Sequence, residues 1–389
     1  MDSIPIDIVL EICSRLPTKS IARCRFVSKL WESIFCRPDF TESFLTMSSS
    51  RPRLLFAIQE VQNSDWFFFS SPQPHNLYEN KASLVVAADF HLKHSKDMSW
   101  LHFCGYASGL ICCCNRKWIS EEKEDRVHVI CNPSTGQCAS LPKLRTNRES
   151  RSFLGFDPID KEFKVLSTAD YRILTLRTMN KSWRKIQCSF SHYPYSDAIC
   201  INGVLYYLAH IEEDSSSVIV CFDVRSETYK FIESEGPYAK LINYMGKLCG
   251  IRFGGRWGTI KLHVWILEDA EKLECSTYDY TLHDDKFYVD SSEYFVAGVT
   301  ATGEIVLSMK DTSQPFYVIY YNPKRNTLQG VEIKGFGDEF NAGNNEVYVF
   351  VDHVEALETT SSRAHMEQDR GIRFESINQF DALHLVDDD

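Results

Sequence analysis

The chain has 389 residues and a formal net charge of −11, from 42 Lys and Arg against 53 Asp and Glu. That balance lacks the basic footprint that phosphate backbones demand, so no nucleic-acid partner is expected. The length exceeds a usual single domain and 44% apolar residues can fill a sizeable core, while no run reaches the ~18 apolar residues of a membrane helix, so no membrane partner is expected either.

Residues 4–40 come first. Val9, Ile12, Cys13 and Leu16 fall at i, i+3, i+4 and i+7, one stripe of an amphipathic helix. Pro5 suits the first turn and Pro17 ends the segment. Thr18 is placed to cap a second short helix carrying Ile21 and Cys24. Ser28 is placed to cap a third, carrying Trp31, Ile34 and Phe35. Pro38 then closes a three-helix unit. About forty residues cannot bury a self-sufficient core, so this apolar set must lean on the rest of the chain or on a partner.

The pattern Ile4-Pro5, Val9-x-x-Ile12-x-x-x-Leu16-Pro17, Ser20-Ile21-x-Arg23-x-Arg25-x-Val27-x-Lys29-x-Trp31 and Pro38-x-Phe40 resembles an F-box. Ile4 stands where Leu is usual in that motif. The resemblance implies docking on a Skp1-like adaptor and, through it, on a cullin and a RING protein. It also implies adaptor contacts at Ile4, Pro5, Val9, Ile12, Leu16, Pro17, Ile21, Val27 and Trp31. The bland competitor is a helical cap on the following domain.

After a hinge at residues 48–52, polar and ending in Pro52, the period changes from 3.6 to 2. Short β-rich runs follow at Leu54 to Ile58, Trp66 to Phe69, Leu84 to Ala88, Leu101 to Tyr106, Leu110 to Cys114 and Val127 to Cys131, which predicts an all-β domain. Cys112, Cys113 and Cys114 are consecutive, and the 14 cysteines include no Cys-x-x-Cys pair. All of them read as reduced thiols acting as small hydrophobes, with no metal and no cofactor implied. No basic, apolar leader precedes the first helix, so the expected location is cytoplasmic or nuclear. The acidic run Glu121, Glu122, Glu124 and Asp125, and the basic run Arg145, Arg148 and Arg151, both read as solvated loop.

Two families of turns repeat in phase. One comprises Asn132-Pro133-Ser134-Thr135-Gly136 and its counterparts near Asn180, Asp223, Glu268 and Asn322, at steps of 43 to 54 residues. The other lies about twenty residues upstream of each, at Ser108-Gly109, Asp157-Pro158, Asn202-Gly203, Met245-Gly246 and Thr302-Gly303. Two phased turns per repeat imply four strands per unit, the unit of a β-propeller blade. Five units phase clearly, and residues 53–99 with Val347 to Val351 complete a sixth, so the reading is a propeller of about six four-stranded blades over 53–358. An unclosed β array or a sandwich is the competitor. Residues 359–389 read as an acidic, disordered tail.

An F-box followed by Asn-Pro-x-Thr-Gly and Gly-Phe-Asp-Pro turns, here at Asn132 to Gly136 and Gly155 to Pro158, resembles the plant F-box-associated domain family, which is kelch-like. In such proteins the β domain captures the protein to be ubiquitylated. With strands running a-b-c-d outward, the a–b and c–d turns share one face, and the b–c and d–a connections share the other. Trp118, Tyr193, Tyr195, Arg256 and Trp257 lie in the latter and are residue types that dominate interface hot spots, so they are the target-binding candidates. No nucleophile elbow, phosphate loop or zinc helix is present. His91 and His94 could face one way on a helix, but they lack a third ligand. The alternative to a non-catalytic receptor is a propeller enzyme or glycan-binding protein with a central-channel site.

Overall fold

In the computed structural model, the described residues are 5–60, 65–74, 84–94, 101–120, 123–146, 150–176, 182–234, 240–256, 258–269, 272, 274–283, 286–337, 340 and 345–357. Ile4, Trp257 and the 359–389 tail therefore lie outside them, and of Trp118 only its place in a strand is described.

Four helices open the chain rather than three: α1 (Ile6–Ser14), α2 (Thr18–Arg25), α3 (Lys29–Phe35) and α4 (Pro38–Ser49). Ser28 caps α3 as expected, its Oγ accepting the Trp31 N–H at 3.3 Å. Thr18 is the first residue of α2, with Pro17 as the cap, so its hydroxyl is free for another partner. Pro38 does not close the unit. It opens α4, where its missing N–H is no loss, and Phe40 and Phe44 then turn inward one helical turn apart. Their core holds Cys13, Ile21, Ile34 and Phe35, and one residue from the far end of the chain, Leu357. Because α4 reaches Ser49, only residues 50–52 separate it from the first strand.

Six antiparallel sheets follow, and each begins on an inner strand. Blade 1 orders β27 (Glu346–His353), β1 (Arg53–Gln59), β2 (Trp66–Pro72) and β4 (Asp89–His94). Blade 2 orders β5 (Leu101–Ala107), β6 (Leu110–Ser120), β7 (Lys123–Asn132) and β8 (Gln137–Ser140), with β9 (Leu144–Thr146) also on β7. Blade 3 orders β10 (Ser152–Asp157), β11 (Glu162–Ser167), β12 (Arg172–Thr175) and β13 (Arg184–Lys185). Blade 4 sets β14 (His192–Pro194) and β15 (Ile199–Ile201) on β16 (Val204–Ile211), then β17 (Ser217–Asp223) and β18 (Thr228–Glu233). Blade 5 orders β19 (Lys240–Tyr244), β20 (Lys247–Arg256), β21 (Thr259–Asp269) and β22 (Glu274–His283). Blade 6 orders β23 (Tyr294–Val299), β24 (Ile305–Met309), β25 (Phe316–Asn322) and β26 (Thr327–Lys334).

The phased turns are what set this register. Asn202-Gly203 and Met245-Gly246 each have two consecutive positive φ angles, 50° and 85° in the first and 52° and 87° in the second. That backbone gives the tight turn whose twist matches paired strands. Blade 1 closes the ring by pairing the last strand with the first, Phe56 opposite Val349 and Ala57 opposite Tyr348. One run departs from expectation: β3 (Leu84–Ala87) leaves blade 1 and adds to β26 of blade 6 in parallel, Val331 opposite Leu84. There Leu84 and Val86 pack on the core between the two blades.

Local readings also change. Glu124 is buried in β7 and paired with the buried Arg126, so the acidic run is not wholly solvated loop. His91 and His94 lie on a strand, and His91 Nε2 bonds Ser70 Oγ at 2.6 Å. Cys131 and Cys138, cross-strand partners on β7 and β8, are joined as a disulfide, so not all the cysteines are thiols. Among the described residues no helix is long and apolar enough to cross a membrane.

Candidate interaction surfaces

Helix α1 turns Cys13 inward, with Val9 and Leu16 half-buried against the same core, and leaves Ile8 and Ile12 outward, one turn apart. At the junction of α2 and α3, Phe26, Val27 and Leu30 are 91%, 70% and 65% exposed. Of the nine positions implied by the resemblance, Ile4 lies outside the described residues and the other eight divide. Pro5, Ile12, Pro17 and Val27 are exposed; Val9, Leu16 and Trp31 are half-buried; and Ile21 is fully enclosed. Ile21 can shape a docking surface only from beneath. The sequence reading passed over Ile8, Phe26 and Leu30. Their signal was available: they are apolar residues off the stripe that fills the core.

The helical unit is fastened to the face of the propeller that carries the a–b and c–d turns. Glu355 Oε2 accepts from the Thr18 backbone N–H at 3.0 Å and from its hydroxyl at 2.7 Å, while the Glu355 N–H donates to Ser48 Oγ at 2.8 Å. Asn132, in a c–d turn, donates its side-chain amide to the Ala356 carbonyl at 2.8 Å. Lys19 donates to the Phe90 carbonyl on β4. The segment after β27 is therefore gripped from both sides.

The inner strands β5, β10, β15, β19, β23 and β27 surround a cavity of 2630 Å³ that runs along the axis and continues beside the helices. At the end away from the helices it is lined by Arg151, Asp197, Lys240, Lys310 and Glu346, with Tyr195, Phe295 and Tyr348 between the charges. Arg151 Nη1 donates to Asp197 Oδ1 at 3.0 Å. The Lys240 amine donates to the Val296 carbonyl at 2.8 Å. Burial pulls its pKa down to about 8, against the opposing pull of Asp197.

Of the proposed target contacts, this mouth includes Tyr195, stacked on His210 with centroids 4.5 Å apart. Tyr193 lines a separate 220 Å³ cavity with His192 and Asp170, and its hydroxyl donates to Glu212 Oε1 at 2.6 Å. Arg256 ends β20, exposed, and lines neither cavity. Arg151 is thus not the solvated loop residue that its basic run suggested: it stands just before β10 and pairs with Asp197, just before β15 of the next blade, a contact that exists only once the blades pack side by side.

Among the described residues the one group of potential metal ligands is Cys104, Cys114 and His128, inside blade 2 and away from the channel.

Residues 1–43 match the F-box domain family, and residues 53–354 match the F-box associated beta propeller domain family. The chain is 48% identical to F-box protein At3g57590 of Arabidopsis thaliana, over 93% of both chains. It is 46% identical to F-box only protein 12 of the same plant, over 91% of this chain and 81% of that one. With the helical unit, the six blades and these matches in hand, the chain belongs to the F-box proteins that carry an F-box associated β-propeller domain.

Proposed function

We propose that this chain is the substrate-recognition subunit of a Skp1–cullin–F-box ubiquitin ligase. In this reading the helical unit docks on a Skp1-like adaptor and, through it, on a cullin and a RING protein. The propeller presents a protein target from the opposite face, in the cytoplasm or nucleus. The observation that carries the reading is the set of uncovered apolar side chains Ile8, Ile12, Phe26, Val27 and Leu30, on a unit whose own core is already filled and anchored to the propeller. Apolar residues so presented favour a partner.

The chain needs no nucleophile for this task. Tethering a target beside a charged ubiquitin-conjugating enzyme raises its effective concentration, which is rate enhancement by proximity. The charged and aromatic mouth around Tyr195 is the proposed target site, and Tyr193, Arg256, Trp118 and Trp257 are proposed as further target contacts outside its lining. A channel enzyme is less favoured, because Asp197, one of the acids at the mouth, is spent on Arg151. The test is co-purification with a Skp1-like adaptor. Wild type is expected to bring it down, and Ile12→Asp with Val27→Asp is expected to lose it while the propeller stays folded. Retention by that double variant would overturn the assignment.

A further inference from the structure

Blade 2 sets three metal-ligand types side by side on adjacent strands. Cys114 on β6 and His128 on β7 are direct cross-strand partners. Cys104 is the extra residue of a bulge in β5, between Phe103 and Gly105, and a bulge re-aims the side chain it carries. The two sulfurs and an imidazole nitrogen all lie within 4.8 Å of one another. All three residues are buried, at 5%, 3% and 0% exposure for Cys104, Cys114 and His128.

Neither ring nitrogen of His128 has a hydrogen-bond partner. Buried polar groups are nearly always satisfied, so an imidazole whose only polar neighbour is the weakly hydrogen-bonding Cys114 thiol needs a reason. The nearest ring does not supply one. Trp183 covers His128 with centroids 5.0 Å apart, but its indole N–H is already given to the Pro142 carbonyl at 2.8 Å. Ile130, Leu141 and Leu176 complete an apolar wall. The cluster is therefore packed among apolar side chains, and its donors are sulfur and imidazole nitrogen. That donor set selects soft cations and rejects calcium and magnesium, which demand oxygen.

We propose that Cys104, Cys114 and His128 form a structural site for a soft, thiophilic cation, zinc or copper(I), that pins β5, β6 and β7 together. Cys112 shares the face of Cys114, two residues earlier on β6, and packs in the same cluster, so it is the candidate fourth ligand. Bonds of about 2.3 Å to sulfur and about 2.0 Å to nitrogen place ligand atoms roughly 3.5 to 4 Å apart, so loading asks the cluster to close by no more than about 1.3 Å. Binding replaces the thiol protons, and the metal's affinity becomes part of the blade's stability. The sequence reading missed the site because the spacing of its ligands follows hairpin lengths and a bulge rather than a Cys-x-x-Cys knuckle.

The test uses the full-length chain purified without chelator. Elemental mass spectrometry is expected to find about one equivalent of zinc or copper per chain. Chelator-stripped protein given cobalt(II) is expected to show a thiolate-to-cobalt charge-transfer band, and a copper(I) titration against a colorimetric competitor distinguishes the two native ions. Cys114→Ser with His128→Asn is expected to abolish uptake, while Cys249→Ser, a buried thiol in blade 5, leaves it unchanged. Wild type that carries no metal, shows no cobalt band and takes no copper(I) overturns the proposal. So does full metal content in the Cys114, His128 double variant. The wild-type measurements decide the matter even if that variant fails to fold.

Discussion

Thr18 and Glu355 stand 337 residues apart in sequence, yet two hydrogen bonds join them, at 3.0 and 2.7 Å, inside a buried seam. Thr18 is free to make them because Pro17 takes the capping position of α2. Glu355 is held for them by Ser48 at the end of α4 and lies 3.9 Å from Arg53 at the start of β1. Leu357, two residues on, fills the helical core. The helical unit too small to stand alone is thus completed by the chain's own later residues, and its orientation on the propeller is fixed. If the chain acts as proposed, that rigidity would hold a target at a set distance from the ligase core.

Glu355→Ala should therefore uncouple the two units without unfolding either. Removing the carboxylate strands the Thr18 N–H and hydroxyl in a buried seam, at a cost of about 1 to 3 kcal/mol. Urea unfolding followed by tryptophan fluorescence is expected to show the helical unit melting ahead of the propeller. A single transition at the wild-type midpoint would contradict the seam's role.

Under the proposed function, docking and folding should separate at two residues of the helical unit, Ile12 on α1 and Ile21 on α2. Ile12 is 56% exposed and Ile21 is 0% exposed. Ile12→Asp should change stability by no more than about 0.5 kcal/mol and weaken adaptor binding at least about 30-fold, the size of a hot-spot loss. Ile21→Ala should instead cost about 2 to 5 kcal/mol of stability by opening a cavity. Calorimetric titration with a Skp1-like adaptor, beside thermal melts, reads both effects.

Much of this arrangement could be read from the residues. The blade phase was legible because the a–b turns of blades 2, 4 and 5 need a backbone that few residues tolerate, so Ser108-Gly109, Asn202-Gly203 and Met245-Gly246 mark those repeats from within. Ring closure by the strand around Val349 was legible from its period-2 pattern at the right distance from the last turn. Other features depend on contacts that no local pattern encodes. Pro38 is compatible with either ending or opening a helix, and Phe44 decides only once a core exists to receive it. Leu84 carries the same β signature whether it pairs in blade 1 or in blade 6. Arg151 and Asp197 meet across two blades, and Cys104 reaches Cys114 only through a bulge.

Acid should weaken the seam end of blade 1. His353 is buried between Tyr106 and Ser134, at 3.0 and 3.2 Å, and His91 sits against Ser70. Burial, reinforced by neighbouring positive charge, pushes each imidazole down to about 3. An unfolded histidine titrates near 6.5, so below that pH the unfolded chain binds the extra protons and stability falls as pH drops from about 6.5 towards 3. At pH 5 the loss is about 2 kcal/mol for each histidine, before most carboxylates titrate. Urea midpoints at pH 7 and pH 5 measure it. His353→Gln is expected to lower the pH 7 value and to remove about half of the difference between them.

Phe56 is where the first and last blades of the ring meet. It is fully buried on β1, edge-on to Phe316 of blade 6 at 6.0 Å and to Phe336 at 5.2 Å. Its own strand pairs it with Val349 on β27, so one ring supports both the closure of blade 1 and the contact between blades 1 and 6. Phe56→Ala should cost about 3 to 5 kcal/mol, the usual loss for a buried aromatic, whereas Phe56→Leu keeps most of the volume and should cost less. Because β27 is an inner strand whose only ladder among the described residues is with β1, the alanine variant should open there first. Hydrogen exchange at Val347, Val349 and Val351 is expected to accelerate more than exchange at Val220 or Ile219 in blade 4. A uniform acceleration would mean that the six blades unfold as one unit, and that Phe56 closes nothing in particular.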